Sequence, residues 1–151
     1  MAPFEKEAEI TGHIVAHLNI SDTPLLGVSV PQDIDLFLTI RHFDAKGEEI
    51  FYTGTIGNPI PLVKCWQRVS LHVQSVIPGE VYPVDVEIWP TNVVVEPGAC
   101  LVLDISGGDT PGVGIFVHDG AERTQERFGE INHIHFAPHH QNYITLPIIP
   151  S

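Results

Sequence analysis

Residues Pro78–Gly108 read PGEVYPVDVEIWPTNVVVEPGACLVLDISGG, and the alternation within them decides the fold class. In an extended chain Val84, Val86 and Ile88 project to one side while Asp85 and Glu87 project to the other. After the Pro97-Gly98 corner, Leu101, Leu103 and Ile105 repeat the pattern. A period of two with one apolar and one polar face predicts half-buried antiparallel sheet, and it turns these six apolar side chains toward the core.

Working outward, alternation and turn residues place strands near 8–20, 34–43, 48–54, 66–74, 81–89, 93–95, 99–106, 114–118, 131–136 and 142–148. Trp89, followed by Pro90, reads as a plug at the end of its strand. No stretch of a dozen residues sustains a helical period, and GAERTQER at 120–127 is polar all round and reads as a loop. A chain of 151 residues can bury one core without disulfides or metals, and 13 Gly and 13 Pro spread along it supply the corners. The expectation is an all-β chain with a single domain over residues 1–151, built as a two-sheet antiparallel sandwich.

The formal charge is −12 at pH 7, from 19 acidic and 7 basic residues, and the basic residues form no run. Phosphate-rich partners are repelled by such a field, so neither nucleic acid nor an anionic membrane is an expected partner. Cys65 and Cys100 have no spacing that suggests zinc or a redox pair, and each reads as a buried thiol. MAPFEKEAEI carries no basic segment ahead of an apolar run, and a cytoplasmic protein is expected.

The wording PVDVEIWPT, a Val-rich run, EPG and LVLDISG resembles the C-terminal β-sandwich domain of Xaa-Pro dipeptidyl-peptidases and the related cocaine-esterase-like serine hydrolases. The resemblance extends to ITGHIVAHLNIS at Ile10–Ser21, to DIDLFLTIRHFDAKGEE at Asp33–Glu49 with its Asp-x-Asp pair, and to NYITLPIIP at Asn142–Pro150. Trp66, Arg68 and Ser70 in CWQRVSLH are similar to a Gly-Trp-Leu-Arg-x-Ser-His segment of that family. The chain departs from the pattern at Cys65, at Leu71-His72, in the short link from Ser70 to Pro78, and at PHHQN, Pro138–Asn142, where the family has a Gly-rich turn. The resemblance implies a jelly roll of the galactose-binding-like type, here as a free-standing chain lacking the α/β-hydrolase domain. The Ser-Asp-His triad of the family belongs to that missing domain, and this chain has no Gly-x-Ser-x-Gly elbow; Ser106 sits in DISGG.

Four residues are the candidates for chemistry. His133 and His135, in NHIHFAPHHQN, share a strand face with Cβ atoms about 7 Å apart and could serve as a general acid and base. A cupin-like metal site is not expected, because no Glu follows at the required interval and no second Pro-x-Gly-x-x-His segment occurs. Trp66 and Arg68 lie on one side of their strand, either as a substrate platform or as a Trp packed beneath a salt bridge. His13 and His17 read as a solvated outer face opposite Ile14, Ala16, Leu18 and Ile20, and Asp33 with Asp35 reads as turn chemistry.

Two readings of function stay open. One is a binding or assembly module that forms a homo-oligomer or joins a separate hydrolase chain, since a face that covers a catalytic domain in the family would otherwise be bare. The other is a repurposed small enzyme that uses pocket His, Arg and Asp in an isomerase, cyclase or hydratase reaction on an apolar small molecule. Neither reading calls for a cofactor or a metal.

Overall fold

The computed structural model describes residues 1–26, 33–54, 56–69, 76–108, 124 and 130–150. The expected strand at 114–118, nearly all of the polar stretch at 120–127, Ser70 and Leu71-His72 lie outside the described residues. Within them the chain forms eleven strands and no α-helix, and so no helix long and apolar enough to cross a membrane.

The first sheet is organised by β1, Ala8–Pro24. One edge of β1 pairs antiparallel with β7, Tyr82–Val95, from Ala8↔Val95 to Ile20↔Tyr82. Its other edge carries β11 (Ile148–Ile149), β10 (Tyr143–Thr145) and β9 (Glu130–Ile134) in succession. Between Gly12↔Thr91 and Ile14↔Ile88 the register shifts, so that Trp89 and Pro90 together oppose His13. This bulge is where a strand tolerates proline, because the extra residue need not donate to the ladder. The expected break between 81–89 and 93–95 is therefore absent: β7 runs through, and Trp89 is an exposed bulge residue rather than an end plug. Gly12 has φ near 131°, and a Cβ there would meet Pro147 at 3.3 Å, so both the backbone and the packing require glycine.

The second sheet is organised by β2, Asp35–Phe43, with β8 (Cys100–Ser106) on one edge and β6 (Val63–Arg68) and β3 (Glu49–Ile50) on the other. Arg41 on β2 joins three of these strands by bonding Glu49 at 2.8 Å and Asp104. A short hairpin, β4 (Tyr52–Thr53) and β5 (Pro59–Ile60), follows β3. The strand expected over 48–54 is thus two short pieces separated by the exposed Phe51, and the one expected from residue 66 already begins at Val63.

The chain passes from the first sheet to the second at Pro97-Gly98, where Gly98 (φ near 84°) fits against Ala45. Between the sheets, Ile14, Ala16, Leu18 and Ile20 of β1 meet Val84, Val86 and Ile88 of β7 and Leu36, Leu38 and Ile40 of β2 in one buried cluster. All six inward positions expected from the alternation are there: Leu101 is fully buried, and Leu103 and Ile105 pack against the same core while partly exposed. The architecture is an antiparallel two-sheet jelly-roll sandwich. Each fully buried aliphatic side chain contributes about 1.5–3 kcal/mol relative to exposure. Truncating Leu38 or Ile88 to Ala, each wholly inaccessible, is expected to cost about 2–5 kcal/mol in urea unfolding, whereas Glu87→Ala on the wet face of β7 stays within about 1 kcal/mol.

Candidate functional site

The inward row of β1 leaves His17, Asn19, Ser21 and Thr23 on the opposite face of the first sheet. His17 Nδ1 lies 2.6 Å from Asp85 on β7, and its ring stacks on Tyr143 of β10 at 4.7 Å. His13, at the bulge, reaches Glu87 at 2.8 Å with both side chains more than half exposed. These two histidines are the solvated outer face that the alternation predicts.

β9 pairs with the last residues of β1 in a register that sets His133 opposite Ser21 and Ile131 opposite Thr23. His133 Nε2 hydrogen-bonds Thr23 Oγ1 at 2.9 Å, and His135 Nε2 hydrogen-bonds Ser21 Oγ at 2.8 Å. The two rings stand 6.5 Å apart, so the strand does bring them together, with a hydroxyl on each inner nitrogen. The altered PHHQN turn has a structural task here. Asn142 accepts the Asn19 N–H at 2.7 Å and donates to the His135 carbonyl at 2.8 Å, which fastens the end of β9 to β1. Burial, followed by the neighbouring His139 and His135, holds His140 below the ordinary histidine range.

Trp66 and Arg68 lie on the other sheet. Trp66 is opposite Phe37 and Arg68 opposite Asp35, on the face of β6 turned away from the Leu36–Leu38–Ile40 row. The Arg68 guanidinium sits 5.2 Å from the Trp66 ring and grips Asp35 with two hydrogen bonds, Nε to Oδ1 at 2.9 Å and Nη2 to Oδ2 at 3.1 Å. Asp33 Oδ2 lies 3.6 Å from the same Nε. The geometry places the Trp beside a salt bridge. Asp33 and Asp35, both buried, are its anionic half rather than turn residues. The histidine pair and the Trp66–Arg68 pair occupy outer faces of different sheets.

Two carboxyl groups escape the sequence pattern. Asp22 is wholly inaccessible, and among the described residues no hydrogen bond of good geometry reaches either of its carboxyl oxygens. Burial raises its pKa, while its own N–H, that of Gly79 and His133 pull the other way. Glu130 sits on the adjacent strand with a buried Oε2, and burial, then Asp22, Asp33 and Asp35, push it up to about 8. The signal for Asp22 is the parity of Ile14, Ala16, Leu18 and Ile20 continued two residues further, because β1 ends at Pro24 and not at residue 20. Cys65 and Cys100 are free and half-buried rather than buried; Cys65 packs against the core, and burial raises its thiol to about 11.

The profile of the X-Pro dipeptidyl-peptidase C-terminal non-catalytic domain matches residues 1–145. Cocaine esterase from Rhodococcus sp. (strain MB1 Bresler) is 28% identical over 147 residues, which cover 93% of this chain and 23% of that protein. A crystal structure of a CocE/NonD family hydrolase from Staphylococcus aureus superposes with a TM-score of 0.75 at 19% identity, covering 97% of this chain and 29% of the other. An α-amino acid ester hydrolase superposes with a TM-score of 0.59 at 14% identity, covering 97% and 24%. The chain thus spans about a quarter of the length of the curated relative it matches.

The charges separate the roles of the candidate residues. Replacing Arg68 by Leu removes the cation that bonds Asp35 and lies beside Asp33, both buried, and is expected to cost about 3–5 kcal/mol in urea unfolding. The double replacement of His133 and His135 by Ala, on the open face, is expected to cost about 1 kcal/mol. Glu130 holds its proton more tightly folded than unfolded. Its contribution to stability is full below about pH 4.5, declines as pH rises and is lost above its folded value of about 8. Thermal unfolding at stepped pH therefore shows Glu130→Gln gaining on the parent protein between those limits; a difference independent of pH contradicts the assignment.

Proposed function

Because the chain belongs to the family of X-Pro dipeptidyl-peptidase C-terminal non-catalytic domains, we propose that it serves as a binding and assembly module rather than as a hydrolase in its own right. The match over residues 1–145 carries this reading. The chemistry of the polar residues supports it: the imidazoles of His133 and His135 are tied to strand hydroxyls, and Arg68 is committed to Asp35. Ser21, the hydroxyl beside His135, is only 3% exposed in the middle of a strand, a poor position from which to attack a substrate carbonyl.

The partner is the catalytic unit of a serine hydrolase, of the kind implied by the hydrolases to which the chain is similar. Leu26, Trp89 and Phe136 are apolar side chains exposed by more than 70%, and such surface favours association over isolation. Without a catalytic unit, two copies of the chain cover it for one another.

Light scattering on the isolated chain is expected to give at least twice the 16.6 kDa of one copy, and a single-copy mass at high concentration counts against the assembly reading. A fluorophosphonate is expected to label no serine, and Xaa-Pro dipeptide and simple ester substrates to remain intact. Stoichiometric labelling of any serine overturns the non-catalytic assignment.

A further inference from the structure

At the end of the sandwich where β2 finishes, β7 finishes and β8 begins, the chain forms a half-open cavity of about 200 Å³. His42 lines it from the core-facing row of β2, one step beyond Ile40. Its side chain is 4% exposed, Nδ1 lies 2.7 Å from the Tyr52 hydroxyl, and Nε2 is buried with no hydrogen-bond partner among the described residues. Native cores leave few polar atoms in that state, and each one needs an explanation. The rest of the lining is complementary to a particular kind of molecule. Asp44 and Glu96 contribute two carboxylates, Ile50 and Val94 an apolar flank, and among the described residues no Lys or Arg lines the cavity.

We propose that this cavity binds a small primary ammonium ion carrying an apolar body. The ammonium is neutralised by Asp44 and Glu96 and donates to His42 Nε2, while the apolar body covers Ile50 and Val94, both partly exposed at present. This arrangement requires neutral His42 in the tautomer whose Nδ1–H donates to the Tyr52 oxygen, which leaves Nε2 as acceptor. Burial lowers the pKa of His42, in keeping with a neutral ring, although Glu96 and Asp44 oppose the shift. Asp44 is held ionised, chiefly by the Glu48 N–H and also by that of Lys46. The turns that bear the two carboxylates are fixed against each other: Asp44 Oδ1 accepts from both of those N–H groups, and Gly98 packs on Ala45. The volume suits a fragment rather than a drug-sized molecule, so the affinity is weak, on the order of millimolar.

The test uses 2-phenylethylamine and its uncharged analogue 2-phenylethanol, with imidazole nitrogen resonances as the readout. The amine is expected to shift His42 Nε2 saturably, the alcohol to leave it unmoved, and Glu96→Gln to weaken amine binding about threefold. Glu96 is exposed, so this variant keeps the fold, which backbone amide spectra verify. No saturable shift with the amine, an equal response to the alcohol, or amine binding unchanged by Glu96→Gln each overturns the proposal.

Discussion

The antiparallel pairing of β1 with β7 is the interaction on which the rest depends. Twelve aligned residue pairs run from Ala8↔Val95 to Ile20↔Tyr82, broken by a single bulge. Since side chains alternate along a strand, this register fixes two surfaces at once: Ile14, Ala16, Leu18 and Ile20 go to the core, and His17, Ser21 and Thr23 go outward. The free edge of β1 then receives β11, β10 and β9, so the outward histidines of β9 meet hydroxyls that β1 already displays. A slip of one residue would reverse both surfaces and separate each imidazole from its partner.

The bulge at Trp89-Pro90 shows how a local signal misleads. Proline lacks the N–H that a ladder needs, so its presence in the sequence reads as the end of a strand. Here the extra residue opposite His13 removes that requirement, and the strand continues to Val95. Only the partner strand reveals this, because a bulge is a property of a pair. The same limit explains Asp22. The period-two rule was sufficient to turn it inward, but a carboxylate after Ile20 looks like the strand's exit into solvent until β9 is seen pairing with β1 as far as Pro24. Where residues carry their own alternation, as in Val84–Ile88 and Leu101–Ile105, the sequence alone was enough.

Charge in this molecule is sorted by sheet and by depth. The outer face of the first sheet carries exposed histidine–carboxylate pairs of modest energy. The buried end of the second sheet carries Asp33 and Asp35 beside Arg68, where loss of that guanidinium would be costly. Glu130 and Asp22 add two more acidic groups near that end, and the fold accommodates Glu130 by favouring its protonated form. Trp66-x-Arg68 was legible as a pair, but its salt bridge depends on Asp35, more than 30 positions away in sequence and directly opposite in the sheet. Polar residues committed in this way are in keeping with a family defined by a non-catalytic domain.

Native-state hydrogen exchange in increasing urea tests the central role of the β1–β7 pair most directly. The amides that pair Ile14–Ile20 with Tyr82–Ile88 are predicted to exchange only through global unfolding, with a denaturant dependence equal to that of the whole chain. Those of β10 and β11, which contribute two or three residues each along the free edge of β1, should open in smaller events. If the β1–β7 amides instead exchange by a sub-global opening while β2 and β8 stay protected, the second sheet is the frame of the molecule and the β1–β7 pair is not.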